Sequence, residues 1–473
     1  MKVLIVGYEA APFYKRGGLG DVMESLPKAL NSIGIEARVV IPYYHDIEKK
    51  YELKKEGEFS IRFRFEEELV RVYSSPLPQT KIPFYFLDNS RYRFISNKRG
   101  KDKINQFASF DLAVANFIPW VSEHHRWMPS IIHCNDWHTA LIPLILERKM
   151  KSSIPTLLTI HNLLYQGVGS PRVLDMLDMK DEETVEIKRG KPATKINILG
   201  EGIIHAARVS TVSVSYAKEI ANDYDRSPIG PFLKRREDGY CKKDGKIIGI
   251  LNGIDYDIWD PAKDDLIFHK YDLDNWEVGK RDNKDDLLKS LGLETRPTFC
   301  FVGRLASQKG LDILIKVINR SESLNINMII LGSGNSIIQE NVLKLARKHS
   351  SWVRAEPVYS EELAHRLYAG SDFIIIPSRY EPCGLIQMIA MKYGTLPIAS
   401  DTGGLRDSIL NGKNGFLFKK GKSMRLKKMI EHALNRMKDK EKFKKMVEYA
   451  MKTDFSWDKS AILYKKLYEE MVK

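Results

Sequence analysis

An α/β architecture of two domains, each built on its own parallel sheet, is predicted by three observations. Short apolar runs rich in Val and Ile alternate with stretches whose apolar residues recur at helical spacing, the pattern of parallel strands joined by helices. The runs form two series, at residues 3–6, 37–41, 84–87, 131–134, 156–160 and 209–214, and again at 298–302, 328–331, 373–376 and 396–399. Between the series, residues 257–296 are polar, charged and short of strands, and a chain of 473 residues is too long for one ordinary core. The expected division is a first domain over 1–255, completed by 456–473, and a second over 256–455.

The first strand leads into Lys15-Arg16-Gly17-Gly18-Leu19-Gly20-Asp21. Asp21 is expected to cap a helix whose apolar stripe is Val22, Leu26, Ala29, Leu30 and Ile33; Pro27 should kink it and Gly34 should stop it. Near the end of the chain, Ala461, Tyr464, Tyr468 and Met471 have helical spacing.

Composition narrows the function classes. Hydrophobic residues make up 43% and aromatics 10%, as in a globular protein. The apolar start is too short for a signal peptide and no run reaches the roughly 18 residues of a membrane span, so a cytoplasmic protein is expected. Cys134, Cys241, Cys300 and Cys383 are scattered without a Cys-x-x-Cys pair, which argues against disulfides or zinc. The net charge of +14 invites a polyanion reading. Much of it falls between the apolar positions Leu426, Met429, Ile430, Ala433, Leu434 and Met437 of one helix, the mark of a solvated face, so neither nucleic acid nor membrane is expected as a partner.

The chemistry-bearing residues lie where strands end, the place where open parallel sheets bind ligands. Lys15 beside Gly17 and Gly18 suits an anion approached by backbone. Arg304 follows the strand at 298–302, and Lys309 precedes Gly310 and a helix start; two cations with free helix N–H groups suit a diphosphate without a metal. Glu381, followed by Cys383, Gly384 and Leu385, places a carboxylate and backbone N–H groups after the strand at 373–376, which suits sugar hydroxyls. The Asp-x-Asp triplets at Asp223/Asp225 and Asp255/Asp257 do not follow an apolar strand ending at a nucleotide loop, so no metal is expected. No dinucleotide fingerprint is complete, which disfavours a nicotinamide enzyme.

These motifs, together with His133-Cys134-Asn135-Asp136-Trp137-His138, His161-Asn162-Leu163-Leu164-Tyr165-Gln166-Gly167 and Asn252-Gly253-Ile254-Asp255 with Trp259 and Pro261, occur in the order of glycosyltransferase family 5. The chain resembles a glycogen or starch synthase nearly end to end. The resemblance implies two Rossmann-like domains facing across a deep cleft, the GT-B architecture, with the last helix crossing back to the first domain. It implies a retaining glucosyltransferase that uses ADP-glucose or UDP-glucose, with glycogen or a malto-oligosaccharide as acceptor and no cofactor. It assigns catalysis to His161, Arg304, Lys309 and Glu381. Donor binding falls to Lys15, Gly17, Gly18, Asn252, Tyr359, Cys383, Gly384, Leu385, Thr402 and Gly403, with Tyr359 stacking on the base. Asp21, Asp136, Trp137, His138, Tyr165 and Gln166 fall on the acceptor side. Ile389 stands where many retaining relatives carry a second Glu, a departure shared with many glycogen synthases. The base of the donor and the oligomeric state stay open. The rival readings are a related transferase with a sucrose- or trehalose-type acceptor, and a catalytically silent glucan- or polyanion-binding protein.

Overall fold

The computed structural model describes residues 1–92, 102–179, 195–222, 229–237 and 246–473. Packing divides the chain into one unit of Met1–Val212, Ala217–Ile250 and Trp457–Lys473 and a second of Ser213–Tyr216 and Leu251–Ser456.

The first unit holds β1 (Lys2–Val6), β2 (Glu36–Pro42), β3 (Lys54–Phe63), β4 (Glu66–Pro76), β5 (Pro83–Asp88), β6 (Ile131–Asn135), β7 (Thr156–Ile160), β8 (Val168–Gly169), β9 (Ile196–Asn197), β10 (Arg208–Thr211) and β11 (Ile247–Gly249). Its nine-stranded sheet runs β11-β10-β7-β6-β1-β2-β5-β4-β3, and β8 pairs with β9 alone. Neighbours from β11 to β5 are parallel, whereas β3 and β4 add an antiparallel edge. Strands β6 and β7 are buried at every position, as expected of a parallel sheet covered on both faces. Chain order reverses beside β1, where β2 lies on one side and β6 on the other. The loops after β1 and β6 therefore flank a topological switch point.

The second unit holds β12 (Thr298–Val302), β13 (Asn327–Leu331), β14 (Val353–Glu356), β15 (Phe373–Ile376), β16 (Leu396–Ser400) and β17 (Phe416–Phe418). They form a six-stranded sheet in the order β14-β13-β12-β15-β16-β17. Every pairing is parallel. Here the order reverses between β12 and β15, so the loops carrying Lys309 and Glu381 flank this second switch point.

The C-terminal helix Trp457–Met471 returns to the first unit, as the resemblance implies. Its Tyr468 hydroxyl lies 2.7 Å from His133 Nδ1, and His133 Nε2 lies 2.6 Å from Thr159 Oγ1, so one buried ring ties the helix to β6 and β7. Burial pushes His133 down to about 3, which keeps the imidazole neutral.

Several expectations need correction. The first helix spans Gly18–Ser32, with Gly17 at the N-cap; Asp21 lies inside the first turn, where its charge favours the helix dipole without capping it. The strand expected at 209–214 ends at Thr211, and Val214 opens the helix Val214–Asn222. Asn252 to Asp255 pack with the second unit, not the first, because Ile254 N–H donates to Phe455 O at 2.8 Å and Phe455 N–H donates to the Tyr256 hydroxyl at 2.8 Å. Strands β3, β4, β8, β9, β11, β14 and β17 are additions.

Cys134, Cys300 and Cys383 are buried free thiols; Cys241 lies outside the described residues. The basic helix Ser423–Lys438 buries Leu426, Ile430 and Ala433 and exposes Lys428 and Lys438. Among the described residues no helix is long and apolar enough to cross a membrane.

Candidate active site

In the first unit the chain leaves β1 through Gly7 and Tyr8 to Glu9, whose side chain is fully buried. Glu9 Oε2 accepts the backbone N–H groups of Arg16 and, at 2.9 Å, Gly17, and so underpins the glycine loop. Burial raises the Glu9 carboxyl above its ordinary range, against the pull of those two amides. Lys15 Nζ lies 2.6 Å from Asp21 Oδ1.

After β6, Asp136 adopts a left-handed backbone (φ 60°) that is unfavourable for a non-glycine residue. Its Oδ1 accepts the N–H groups of His161 at 2.7 Å and Asn162 at 3.2 Å, joining the loops after β6 and β7. Burial lifts this carboxyl to about 7; the amides pull it down, and the charge of Glu9 adds to the rise.

His161 Nε2 is 2.9 Å from Asn135 Oδ1, and the Asn135 amide nitrogen donates to Val6 O at 3.0 Å, which orients the amide. The His161 proton is therefore on Nε2. Burial pushes the ring down to about 3, so it acts as a neutral hydrogen-bonding group. Trp137 is buried against Phe107, with ring centroids 5.1 Å apart, and against Gly167, where a Cβ would lie 2.3 Å from its ring. His138 lies over Tyr8 with centroids 3.7 Å apart, and burial holds it well below the ordinary histidine range.

Tyr165 is exposed at 51%, open to a ligand. Gln166 is tied into the fold instead: its amide donates to Leu163 O at 3.0 Å and its oxygen accepts from Asn197 at 2.8 Å. Asn197 in turn caps the helix Ile198–His205.

In the second unit the loops after β12 and β15 close on each other. Gly310 has φ 71°, and a Cβ there would lie 2.1 Å from Pro377 O. Arg379 N–H donates to Gln308 O at 2.8 Å, and Gln308 Nε2 donates to Tyr380 O at 3.2 Å. This approach brings Lys309 Nζ to 2.6 Å from Glu381 Oε2, which also accepts the Ser378 hydroxyl at 2.9 Å. Arg304 is exposed, with no side-chain hydrogen bond or ion pair among the described residues.

The Glu381 loop is held by its backbone. Gly404 N–H donates to Glu381 O at 3.0 Å, and Gly403 approaches so closely that a Cβ would lie 2.0 Å from the same oxygen. Thr402 and Gly403 are thus buried beneath the loop. The Cys383 side chain points inward, its thiol pushed up to about 12 by burial, with the Asn252 N–H directed at its sulfur. Cys383 can therefore offer a ligand only backbone. Gly384 has φ 76°, and Leu385 is the N-cap of the helix Ile386–Lys392. Tyr359, 51% exposed, follows the C-terminal end of β14.

Of the acidic triplets, Asp223 and Asp225 lie outside the described residues. Asp255 accepts the N–H of Asp257 at 2.9 Å, and Asp257 pairs with Lys263 at 3.1 Å. Sequence reasoning missed Glu9, Asn135 and Ser378. A motif scan has no reason to single out one acid between a tyrosine and two alanines, and the Ser378 link needs the fold of its loop.

The family described as starch synthase catalytic domain matches residues 2–235, and that described as glycosyl transferases group 1 matches residues 283–453. The glycogen synthases of Caldicellulosiruptor bescii and Caldicellulosiruptor saccharolyticus are 37% and 38% identical to the chain, with all of each sequence covered. The chain belongs to the glycogen and starch synthase family. Among solved structures, the catalytic domain of starch synthase IV from Arabidopsis thaliana, bound to ADP and acarbose, is similar at a TM-score of 0.87 and 31% identity, covering 100% of this chain and 99% of that one. This synthase is a glucosyltransferase with the GT-B fold.

Proposed function

We propose that this synthase transfers glucose from a nucleoside-diphosphate glucose to the 4-hydroxyl at the non-reducing end of an α-1,4-glucan, with retention. The observation that carries the reading is the convergence of Lys309 and Glu381 at the switch point of the second sheet, 2.6 Å apart, with the unengaged Arg304 on the same loop as Lys309. Arg304 and Lys309 supply the positive charge that a departing diphosphate needs, so the proposed reaction requires no metal. Glu381 accepts glucose hydroxyls and supports the developing positive charge on the sugar.

His161, neutral and with its Nε2 proton directed at Asn135, presents Nδ1 as an acceptor to a hydroxyl of the transferred sugar without exchanging its proton. The C1–phosphate bond breaks, the new bond from the acceptor O4 forms on the same face, and the acceptor proton passes to the departing diphosphate. The first unit's loops after β6 and β7, with exposed Tyr165, take the glucan. The proposed setting is the cytoplasm, where nucleotide sugars are found.

The test is release of nucleoside diphosphate from ADP-glucose and from UDP-glucose, with and without glycogen, in the presence of a chelator. Glucan-dependent release with chain extension supports the reading and identifies the donor. Release with neither donor, or only after a divalent metal is restored, contradicts it.

A further inference from the structure

The glycine loop that carries Lys15 is assembled on one buried acid. Ala10 and Tyr14 exchange backbone hydrogen bonds of 2.8 Å each, which turns the chain back on itself. Ala11 N–H then donates to Gly20 O at 3.0 Å, tying the turn to the start of the helix Gly18–Ser32. These bonds carry Arg16 and Gly17 over Glu9, whose Oε2 takes both of their N–H groups. The Arg16 N–H belongs to the peptide that begins at Lys15 C=O, so this contact sets the peptide plane on which the Lys15 side chain stands.

The far end of that side chain is held by Asp21, whose Oδ1 lies 2.6 Å from Lys15 Nζ. A Cβ at Gly20 would lie 3.0 Å from Lys15 Cγ, so the lysine stem lies across the first helical turn in the space that glycine leaves. Gly17, the N-cap, has no side-chain cap of its own, and the Glu9 carboxylate beneath the helix start supplies the negative group that the dipole favours. Glu9 is 0% exposed, and the Tyr8 hydroxyl adds a side-chain hydrogen bond to its carboxyl group. A carboxyl is costly to keep in such a place, so the fold retains it for the loop it holds.

We infer that Glu9 is a positioning residue for glucosyl transfer: its carboxylate fixes the backbone of the glycine loop and thereby the place of the Lys15 ammonium. The role rests on the proposed reaction, and turnover by the parent chain establishes that reaction before any variant is compared. Glu9 acts through Lys15, so the two substitutions share one effect.

The test is a double-mutant cycle on donor and glucan kinetics with Glu9→Ala, Lys15→Ala and the pair, alongside Glu9→Gln. Glu9→Ala is expected to lower kcat/KM by about tenfold or more in the parent and by less than about threefold in the Lys15→Ala background. Glu9→Gln, whose oxygen still accepts the two N–H groups, should recover most of the loss. Equal losses with and without Lys15, or a Gln variant no better than Ala, overturn the inference. Should Glu9→Ala fail to fold, amide exchange in the parent decides: slow exchange at Arg16 and Gly17 supports it, and exchange at the rate of an open loop overturns it.

Discussion

Lys309 Nζ lies 2.6 Å from Glu381 Oε2, with side-chain exposures of 16% and 8%, so the cation and the acid of the donor loops neutralise each other across the switch point of the second sheet. Lys309 ends the single 3-10 turn Ser307–Lys309, and Glu381 stands in a loop outside any strand or helix. Gly310, packed against Pro377 O, holds their loops together.

Removing either member strands the other in a nearly buried site. Lys309→Ala and Glu381→Ala are each expected to lower turnover by about 10²–10³-fold. The double variant should lose far less than the product of the two, because each single change already leaves an unpaired charge. Steady-state kinetics on the three variants measures this coupling.

Gly310→Ala tests the loop approach itself. A Cβ would meet backbone, the Pro377 oxygen at 2.1 Å, at a φ of 71° that alanine resists. The variant should lose about 1–3 kcal/mol of stability and much of its turnover, measured by denaturant unfolding and by activity.

Asp136 makes stability depend on pH in a stated direction. Its carboxyl is raised from 3.8 to about 7, so the folded chain binds a proton that the unfolded chain has released. The stability this confers is fully present below about pH 3.8 and is lost as pH rises through about 7. Asp136→Asn should remove a stability difference on the order of a few kcal/mol between pH 4 and pH 8, read from urea unfolding at both values.

The buried histidines act in the opposite sense. His133 and His161 are depressed from 6.5 to about 3, so the unfolded chain takes up protons that the folded chain refuses. Their contribution is present above about pH 6.5 and is lost as pH falls towards 3. Replacing His133 by Gln should cost stability at pH 7 through the bonds to Tyr468 and Thr159, yet flatten the loss between pH 6.5 and pH 5. Unfolding midpoints across that range measure the change.

The parallel strands were legible because a strand buried on both faces writes itself as an unbroken apolar run; 156–160, 298–302 and 373–376 agree with β7, β12 and β15 to the residue. Strands β3 and β4 were not, since they form the antiparallel edge of the sheet and alternate polar with apolar residues, as in Glu58-Phe59-Ser60-Ile61-Arg62-Phe63. Asp21 was misjudged as a cap because Gly18-Leu19-Gly20 reads as loop, although its backbone is already helical. The site loops were legible as motifs at strand ends. Their bonds were not: Lys309 and Glu381 are 72 residues apart, and Glu9 gains its significance only when the chain folds back over it.

The most direct test of the account is transfer of labelled glucose from a nucleotide sugar onto glycogen by the parent chain and by Glu381→Ala, side by side. Glucan extension by the parent and a loss of about 10²-fold or more in the variant are expected. Equal extension by both, or none by the parent with either ADP-glucose or UDP-glucose, would contradict the account.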